Sequence, residues 1–323
     1  MAKVSFVLPA YKRRFLKEAI ASILVQTYRD FELIVVDDCS PEGLKEIVDQ
    51  FHDARLAYYR NERNLGGKDL IAAWNKAMEY ATGEFCVLAA DDDVYHPDYL
   101  MELISLSEKY PTVDVFHCRM VCIDGDGRWK YIGEPRSEWE SAIEMLYSRG
   151  VKRLNQRAPD FMFRLSAFKN AGGFVWTPKA WYTDDATWIN LSYQHGAACS
   201  SRVLFYWRES GENITSVFHD APEKLLAHKI FREWVHSFIL KLKPTNELEE
   251  NMLDVIKRDI DRVIDNLSSW VLGNTPFGVW WHVMLQPELL NHKRARFIYE
   301  RLSRKVTLSR WLGKVWRLLH GCS

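Results

Sequence analysis

The sequence predicts an α/β protein with a mainly parallel sheet flanked by helices. Two observations support this class: short apolar runs alternate with apolar residues at helical spacing, and acidic residues follow directly after several of the runs. Parallel strands need a crossover between them, which is usually a helix. Their carboxyl ends then meet along one edge of the sheet, where such proteins bind ligands. We therefore expect the functional site at that edge.

The first strand is predicted at residues 4–9, an apolar run that stops at Pro9 because proline has no N–H for a sheet ladder. The alternation of strand and helix then continues along the chain. The predicted elements are a helix at about 16–24, strands at 31–36 and 56–59, a helix at about 68–80 and a strand at 85–88. This order indicates repeated strand–helix–strand units and hence a parallel sheet.

Three consecutive acids, Asp91, Asp92 and Asp93, come directly after the apolar run 85–88. Like charges this close repel one another, so a fold that keeps them together usually supplies a cation. Carboxylates favour hard ions, and Mg²⁺ or Mn²⁺ is commonly held by one or two carboxylates together with substrate phosphates. The triplet therefore predicts a metal site. The simpler alternative is a solvated acidic turn before the helix that begins near Pro97.

An ordered series of short motifs gives the chain a family resemblance. The motifs are VLPAY at 7–11, SILVQT at 22–27, VVDDCS at 35–40, NLGG at 64–67, GEF at 83–85 and DDD at 91–93 with Pro97. In this order the chain resembles the family-2 glycosyltransferases, inverting enzymes with the GT-A fold, over about its first 210 residues. The resemblance implies metal-dependent transfer of a sugar from a nucleoside diphosphate, uridine diphosphate being favoured, to a hydroxyl of a glycan or lipid-linked glycan, as in cell-surface polysaccharide synthesis.

The resemblance also implies which residues bind the nucleotide. Pro9, Ala10 and Tyr11 would form the wall of the nucleobase pocket. Asp38 would accept a hydrogen bond from the base, since the uracil N3–H is a donor. The alternative role for Asp38 is that of a turn residue whose side chain binds the neighbouring backbone.

The phosphate and ribose contacts follow from the same resemblance. Gly66 permits close approach of the backbone to a ligand, and Lys68 is placed to reach a phosphate. Within the triplet, Asp91 is predicted to bind the ribose hydroxyls and Asp92 the metal, with Asp93 as a supporting or alternate ligand. This division is similar to that of a subgroup of the family with consecutive acids.

Inverting transfer needs a base for the acceptor hydroxyl, and the family takes it from an acidic pair that opens a helix. Asp184 and Asp185 match that position. The second acid of the pair corresponds to the base, so Asp185 is predicted as the base and Asp184 as a supporting residue. A helix start capped by Thr183, with both acids favouring the helix dipole, explains the same residues without any chemistry.

Aromatic and basic residues near this pair indicate contacts with substrate. Tryptophan rings stack on the apolar faces of sugars, so Trp181 and Trp188 are predicted at the acceptor site, although most tryptophans belong to a core. Arg208 stands in a stretch similar to the closing strand and loop of the family and is predicted to contact a phosphate.

The chain has 323 residues, 47% of them hydrophobic, which is enough for one large core and an appendage. We expect a catalytic domain at 1–218, with a nucleotide-sugar half at about 1–110 and an acceptor half at about 111–218, and a helical extension at 219–323. Six cysteines without a secretory leader, and no apolar segment of membrane-spanning length, favour a cytoplasmic protein with reduced thiols.

Residues 293–317 carry nine basic residues and one acid, interleaved with tryptophan and leucine. This pattern predicts a helix that lies on an anionic membrane surface, here the inner face of the cytoplasmic membrane. A terminal helix packed on the domain with a solvated basic side is the alternative. Nucleic-acid binding is disfavoured because the basic stretch is short and lies outside a recognition fold.

Two other functions are compatible with the same fold. One is a catalytically silent relative that binds nucleotide or glycan, but such a protein has no need of both acidic groups. The other is a nucleotidyltransferase, which usually has a glycine-rich basic loop after its first strand. Residues 10–13 lack those glycines.

Overall fold

A computed structural model describes residues 3–211, 213, 217–286 and 289. Within these residues a ten-stranded sheet carries helices on both faces. The strands are β1 (Val4–Ala10), β2 (Phe31–Asp37), β3 (Leu56–Arg60), β4 (Phe85–Leu88), β5 (Val94–Tyr95), β6 (Val115–Ile123), β7 (Trp129–Ile132), β8 (Trp139–Glu140), β9 (Phe161–Arg164) and β10 (Ala197–Arg208). The helices are α1 (Leu16–Leu24), α2 (Lys45–Val48), α3 (Leu70–Met78), α4 (Tyr99–Lys109), α5 (Ala142–Leu146), α6 (Leu165–Asn170), α7 (Thr183–Leu191), α8 (Ala221–Ile239), α9 (Glu247–Asn274) and α10 (Phe277–Met284).

The strand order is β3-β2-β1-β4-β9-β6-β10-β5, with β7 beside β6 and β8 beside β10. β1, β2, β3 and β4 are parallel to their neighbours in this group, and β6 is parallel to β10. Because β9 runs antiparallel to both β4 and β6, these two groups point the same way. The carboxyl ends of six strands therefore share one edge of the sheet, as the predicted α/β class requires.

The helices cover the sheet through two hydrophobic cores. One face packs on α1, α2 and α4, where apolar residues at helical spacing, such as Leu16, Ile20 and Ile23, are buried. The other face packs on α3, α5 and α7, and the same core contains Phe231 of α8 and Ile256 of α9. α8 and α9 are therefore part of the same core as α3, α5 and α7, whereas Trp280 and Val283 of α10 belong to a separate small cluster. The domain boundaries given above stay a prediction.

Local sequence signals explain where several helices begin. Asp69 caps α3, because its carboxylate accepts the N–H groups of Ile71 and Ala72. Ser141 and Glu144 form a capping box at the start of α5. The predicted strands agree with β1 to β4 within one residue at each end, and the predicted helix at 68–80 corresponds to α3.

No helix among the described residues combines the length and the apolar character needed to cross a membrane. The basic segment 293–317, for which a membrane-surface helix is predicted, lies outside the described residues.

Candidate active site

The carboxyl ends of β1 and β2 form the predicted nucleotide side of the site. Asp38 follows β2 and is buried. Its Oδ1 accepts a hydrogen bond from Leu65 N at 3.0 Å, and its Oδ2 accepts one from Gly66 N at 2.7 Å. A Cβ on Gly66 would lie 3.0 Å from Asp38 Oδ2, so glycine permits this close approach. Asp38 thus organises the turn at 64–67, and its contact with a base stays a prediction.

A second polar network, which the sequence did not reveal, supports the loop after β1. Asp37 accepts hydrogen bonds from Tyr58 Oη at 2.6 Å and from Ser40 N at 2.7 Å, and it is ion-paired with Arg60. Ser40 Oγ donates to the carbonyl of Tyr11 at 2.5 Å. Burial, together with the hydrogen bond to Asp37, raises the pKa of Tyr58 to about 12. The network holds the backbone of Tyr11 in place, and the residue is 42% exposed, which a stacking contact with a base requires.

The other predicted donor residues lie near this loop. Ala10 is buried, Pro9 is partly buried and Lys68 is exposed beside Gly66. Lys68 therefore has the freedom that a phosphate contact needs, and that contact stays a prediction.

The three acids after β4 have three different partners. Asp91 Oδ2 accepts the N–H groups of Tyr11 and Lys12, each at 2.8 Å. Asp93 is buried and its Oδ1 accepts Arg208 N at 2.8 Å. Asp92 Oδ2 accepts Ser210 Oγ at 3.1 Å. Asp91 and Asp93 thus accept hydrogen bonds from backbone N–H groups, whereas Asp92 accepts one from a serine hydroxyl, which can rotate to another partner.

Burial raises the pKa of all three acids. The pKa of Asp91 rises to about 6, mainly by burial, against the two backbone hydrogen bonds that lower it. Burial and the negative charge of Asp92 place the pKa of Asp93 well above its ordinary value. Burial likewise raises the pKa of Asp92. A bound cation would relieve this cost, because it stabilises the ionised form.

The described residues contain no group of three or more histidine, cysteine, aspartate or glutamate side chains arranged to hold a metal. A metal site made of three or more such protein ligands is therefore absent from the described part of the chain. Mg²⁺ and Mn²⁺ sites commonly use one carboxylate and complete their shell with substrate phosphates and water. Asp92 fits that mode, since its carboxylate is buried, which raises its pKa, and it accepts a hydrogen bond from the Ser210 hydroxyl. The residues thus fit a metal that arrives with a phosphate ligand.

Arg208 holds the acidic triplet, which differs from its predicted role at a phosphate. Its side chain is buried, its Nε donates to the carbonyl of Asp92 at 2.9 Å, and it is ion-paired with Glu18 at 2.6 Å. The guanidinium also lies over the Phe15 ring, 4.4 Å from its centroid. These contacts direct the donors of Arg208 into the protein, so we replace the phosphate contact with a positioning role for Asp92 and Asp93.

The acidic pair opens α7 at the same edge of the sheet. Asp185 is buried, and its Oδ1 accepts hydrogen bonds from Arg149 Nε at 2.6 Å and Gln156 Nε2 at 3.2 Å. Its Oδ2 lies 3.6 Å from an Nη of Arg153, beyond hydrogen-bond distance. Burial acts to raise the pKa of Asp185, but the charges of Arg149 and Arg153 outweigh it and hold the pKa below its ordinary value. Asp185 is therefore ionised at neutral pH.

Asp184 has a different environment. It is partly exposed, and burial together with the charge of Asp185 raises its pKa to about 6. The predicted cap is wrong in one respect: Thr183 is the first helical residue, and Tyr182 precedes it with a φ of 77°. The hydroxyl of Thr183 instead pairs with that of Thr177 at 2.8 Å.

The two predicted acceptor tryptophans lie in different places. Trp188 is fully buried, with its ring stacked on Phe161 at 5.1 Å and 5.0 Å from the Phe163 ring, so it belongs to the core and cannot stack on a sugar. Trp181 is partly exposed. Its Nε1 donates to His228 at 3.3 Å and its ring lies 4.5 Å from Lys224 Nζ, so α8 fixes its orientation.

Sequence reasoning missed the residues that hold the acidic pair, namely Arg149, Arg153, Gln156 and the adjacent Arg157. One signal could have found them. Four basic residues fall between 149 and 157, in a region 1–218 that carries more acidic than basic residues. Such a local excess of positive charge before β9 indicates partners for the acids at the sheet edge.

Comparison with known proteins gives matches to a family model and to individual relatives. A family model described as glycosyl transferase family 2 matches residues 5–172. TuaG of Bacillus subtilis (strain 168), whose name places it in teichuronic acid biosynthesis, is 30% identical over 138 residues, which are 42% of this chain and 54% of that protein. WfgD of Escherichia coli, a UDP-Glc:alpha-D-GlcNAc-diphosphoundecaprenol beta-1,3-glucosyltransferase, is 34% identical over 107 residues, which are 33% of this chain and 41% of that protein. The chain thus spans about half or less of the length of these relatives.

Solved structures share the fold over nearly the whole chain. S. aureus TarS 1-349 in complex with UDP-GlcNAc has a TM-score of 0.63 and 19% identity, covering 96% of this chain and 92% of that one. The mannosyltransferase PcManGT from Pyrobaculum calidifontis in complex with GDP-Man and Mn²⁺ has a TM-score of 0.54 and 14% identity, covering 98% of this chain and 87% of that one. At these identities the likeness shows the GT-A fold alone. The family match over more than half of the sequence confirms what the motifs predicted: the chain belongs to glycosyl transferase family 2, a family of transferase enzymes.

Proposed function

We propose that this chain is a metal-dependent inverting glycosyltransferase that uses a nucleoside diphosphate sugar. One observation carries the proposal, namely two separate carboxylate groups on one sheet edge. Asp92 accepts a hydrogen bond from a rotatable hydroxyl, and Asp185 is oriented by Arg149 and Gln156. The first group suits a metal–diphosphate complex, and the second suits proton removal from an acceptor.

Solved structures with this fold support a nucleotide sugar as the donor substrate. TarS binds UDP-GlcNAc and PcManGT binds GDP-Man with Mn²⁺ in structures that share this fold. Here Asp92 would hold Mn²⁺ or Mg²⁺, with Asp93 and Arg208 fixing the loop beneath it. The bound ion would screen the negative charge of the diphosphate. Tyr11 and Asp38 would face the base, and Asp91 would bind the ribose, so UDP is the first nucleotide to test.

The acid pair supports direct displacement at the anomeric carbon. The acceptor oxygen forms a bond to that carbon, its proton passes to Asp185 Oδ2, and the bond to the diphosphate oxygen breaks with its electron pair remaining on the diphosphate. Oδ2 is the acceptor atom because Arg149 and Gln156 occupy Oδ1. Attack opposite the leaving group inverts the anomeric configuration. Asp184 is proposed as a supporting residue beside the base Asp185.

For the acceptor we propose a hydroxyl of a glycan or lipid-linked glycan, in the synthesis of a cell-surface polysaccharide. The names of TuaG and WfgD support this class, since one refers to teichuronic acid biosynthesis and the other to a diphosphoundecaprenol-linked sugar. Trp181 is the aromatic contact we propose for the acceptor, because α8 fixes its ring, it is partly exposed, and it closely precedes Asp184 and Asp185 in the chain.

A peripheral position on the inner face of the cytoplasmic membrane is proposed from the basic segment 293–317 alone. Co-sedimentation with anionic liposomes should be strong at low salt and fall as salt rises. If the protein ignores such liposomes at low salt, this location is wrong.

Donor screening tests the proposed function. UDP and GDP sugars are incubated with the protein in Mn²⁺ or in EDTA, and release of nucleoside diphosphate and the thermal shift are measured. We expect one or a few donors to stabilise the protein and to be hydrolysed in Mn²⁺ only. Binding without turnover of any donor would indicate a silent relative, and release of pyrophosphate from a nucleoside triphosphate would indicate a nucleotidyltransferase.

A further inference from the structure

Arg157 lies between the two acidic groups. Its neighbour Gln156 donates to Asp185 Oδ1 at 3.2 Å, which places this segment against the acid pair. Its guanidinium stacks on the ring of Trp207, 4.1 Å from the centroid. Trp207 directly precedes Arg208, which binds Asp92 and Asp93. Arg157 is therefore linked to the predicted base through its chain neighbour Gln156 and to the predicted metal site through Trp207 and Arg208.

The positive charge of Arg157 is not matched by an ion pair within the described part of the chain. One Nη donates to the carbonyl of Gln156 at 2.7 Å, and the other donates to Tyr131 Oη at 3.4 Å. Its Nε is buried and has no hydrogen-bond partner among the described residues. The nearby arginines differ, since Arg149 and Arg153 pair with Asp185. Arg157 is also partly exposed, so an external anion can reach it.

We propose that Arg157 binds the diphosphate of the nucleotide sugar and stabilises it as the leaving group. The inference rests on the proposed function and adds the residue that takes the phosphate role predicted for Arg208. When the bond between the anomeric carbon and the diphosphate oxygen breaks, the electron pair stays on that oxygen and negative charge grows there. A guanidinium held in place beforehand is the group that stabilises such charge.

Stacking on Trp207 suits this role. It fixes the plane of the guanidinium, so little freedom is lost when its donors meet phosphate oxygens. The alternative is that Arg157 only balances the charge of the acids around it. That role predicts a loss of stability on substitution, with no preference between nucleotides that differ in the β-phosphate.

The test compares binding of UDP and UMP, and of GDP and GMP, in Mn²⁺ by calorimetry. The variants are Arg157→Gln, Arg157→Lys and the matched control Arg164→Gln. Arg164 also stacks on a ring, that of Phe85 at 4.7 Å, but it lies at the opposite end of β9 and pairs with Glu84 and Asp114. We expect Arg157→Gln to weaken diphosphate binding by about 10- to 100-fold and monophosphate binding by less than about 3-fold. Turnover of the donor should fall by about 10²- to 10³-fold.

The controls fix the interpretation. Arg157→Lys should recover part of the loss, because it keeps the charge but not the planar fork, and Arg164→Gln should bind like the wild type. Equal weakening of diphosphate and monophosphate, unchanged diphosphate binding with a lower melting temperature, or a rise in the KM of the acceptor alone would overturn the inference. If the wild type binds neither diphosphate in Mn²⁺, the proposed function itself fails.

Discussion

The donor side and the acceptor side of this sheet edge are built with different chemistry. On the donor side, the carboxylates of Asp38 and Asp91 accept backbone N–H groups from loops that follow the strands. On the acceptor side, Asp185 is buried against Arg149 and Arg153. On the donor side, backbone N–H groups of loops hold the carboxylates in place, whereas the ion-paired acid of the acceptor side stays ionised for proton transfer. Substitutions on the donor side should therefore weaken donor binding, whereas substitution of the base on the acceptor side should lower turnover with little change in donor binding.

Asp92→Asn gives the largest expected effect on the donor side. The amide keeps the hydrogen bond from Ser210 but removes the charge that a divalent ion needs. Mn²⁺ should then no longer strengthen UDP binding, and turnover should fall by more than about 10²-fold. Calorimetric titration of UDP with and without Mn²⁺ measures this. Asp114→Asn, at the opposite edge, is the control. A variant that retains the wild-type Mn²⁺ enhancement contradicts the metal assignment.

Asp185→Asn should separate turnover, which depends on the acceptor side, from donor binding, which depends on the donor side. We expect kcat to fall by at least about 10²-fold, the usual range for a lost general base, with the donor Kd changed by less than about 3-fold. The melting temperature should also fall, because Arg149 keeps its buried charge without a partner. Asp184→Asn should lose less activity and should not lose stability. Large loss in Asp184→Asn with an active Asp185→Asn would exchange the two roles.

Arg208→Met tests whether the loop that carries Asp91, Asp92 and Asp93 links the donor side to the acceptor side. Methionine fills the space beside Phe15 but loses the Nε donor to the carbonyl of Asp92 and the ion pair with Glu18, whereas the backbone N–H that donates to Asp93 remains. We expect metal-dependent UDP binding to weaken by about 10-fold and unfolding to require about 2–3 kcal/mol less, the range for hydrogen bonds to charged groups. Chemical denaturation and calorimetry measure the two quantities. If the variant is as stable as the wild type but selectively loses phosphate binding, the result would favour the direct contact between Arg208 and a phosphate that the sequence predicts.

Asp184→Asn should show the smallest effect, in the pH dependence of stability. The carboxyl has an ordinary pKa of 3.8 and a folded-state pKa of about 6. Between these values the folded protein binds more protons than the unfolded chain, so stability falls as pH rises through this window. The neutral amide should therefore raise the melting temperature by about 2–4 °C at pH 7.5, with no gain below pH about 4. Asp98→Asn, whose pKa is lowered by Arg202, should show no such gain. A gain at pH 3.5 equal to that at pH 7.5 would exclude this cause.

The same comparison explains what could be predicted from the sequence. β1 to β4 and the acids at their ends follow from apolar runs and their boundaries, so the strands of the donor side and the positions of these acids could be predicted from the sequence. The burial of Trp188 in α7 could not be predicted, because it depends on packing against Phe161 and Phe163 of β9. Arg208 lies 116 positions from Asp92, and only the folded sheet shows that its side chain points into the loop. Contacts of this kind arise from packing, which residue patterns do not record.

The anomeric configuration of the product tests inverting transfer most directly. An α-linked nucleotide sugar that the protein turns over is incubated with it in Mn²⁺, and the first sugar product, transferred or hydrolysed, is followed by proton NMR before the free sugar equilibrates. Proton removal by Asp185 and attack opposite the diphosphate predict the β anomer first, and its formation should be lost in Asp185→Asn. An α anomer appearing first would contradict single displacement and the role of Asp185 as its base.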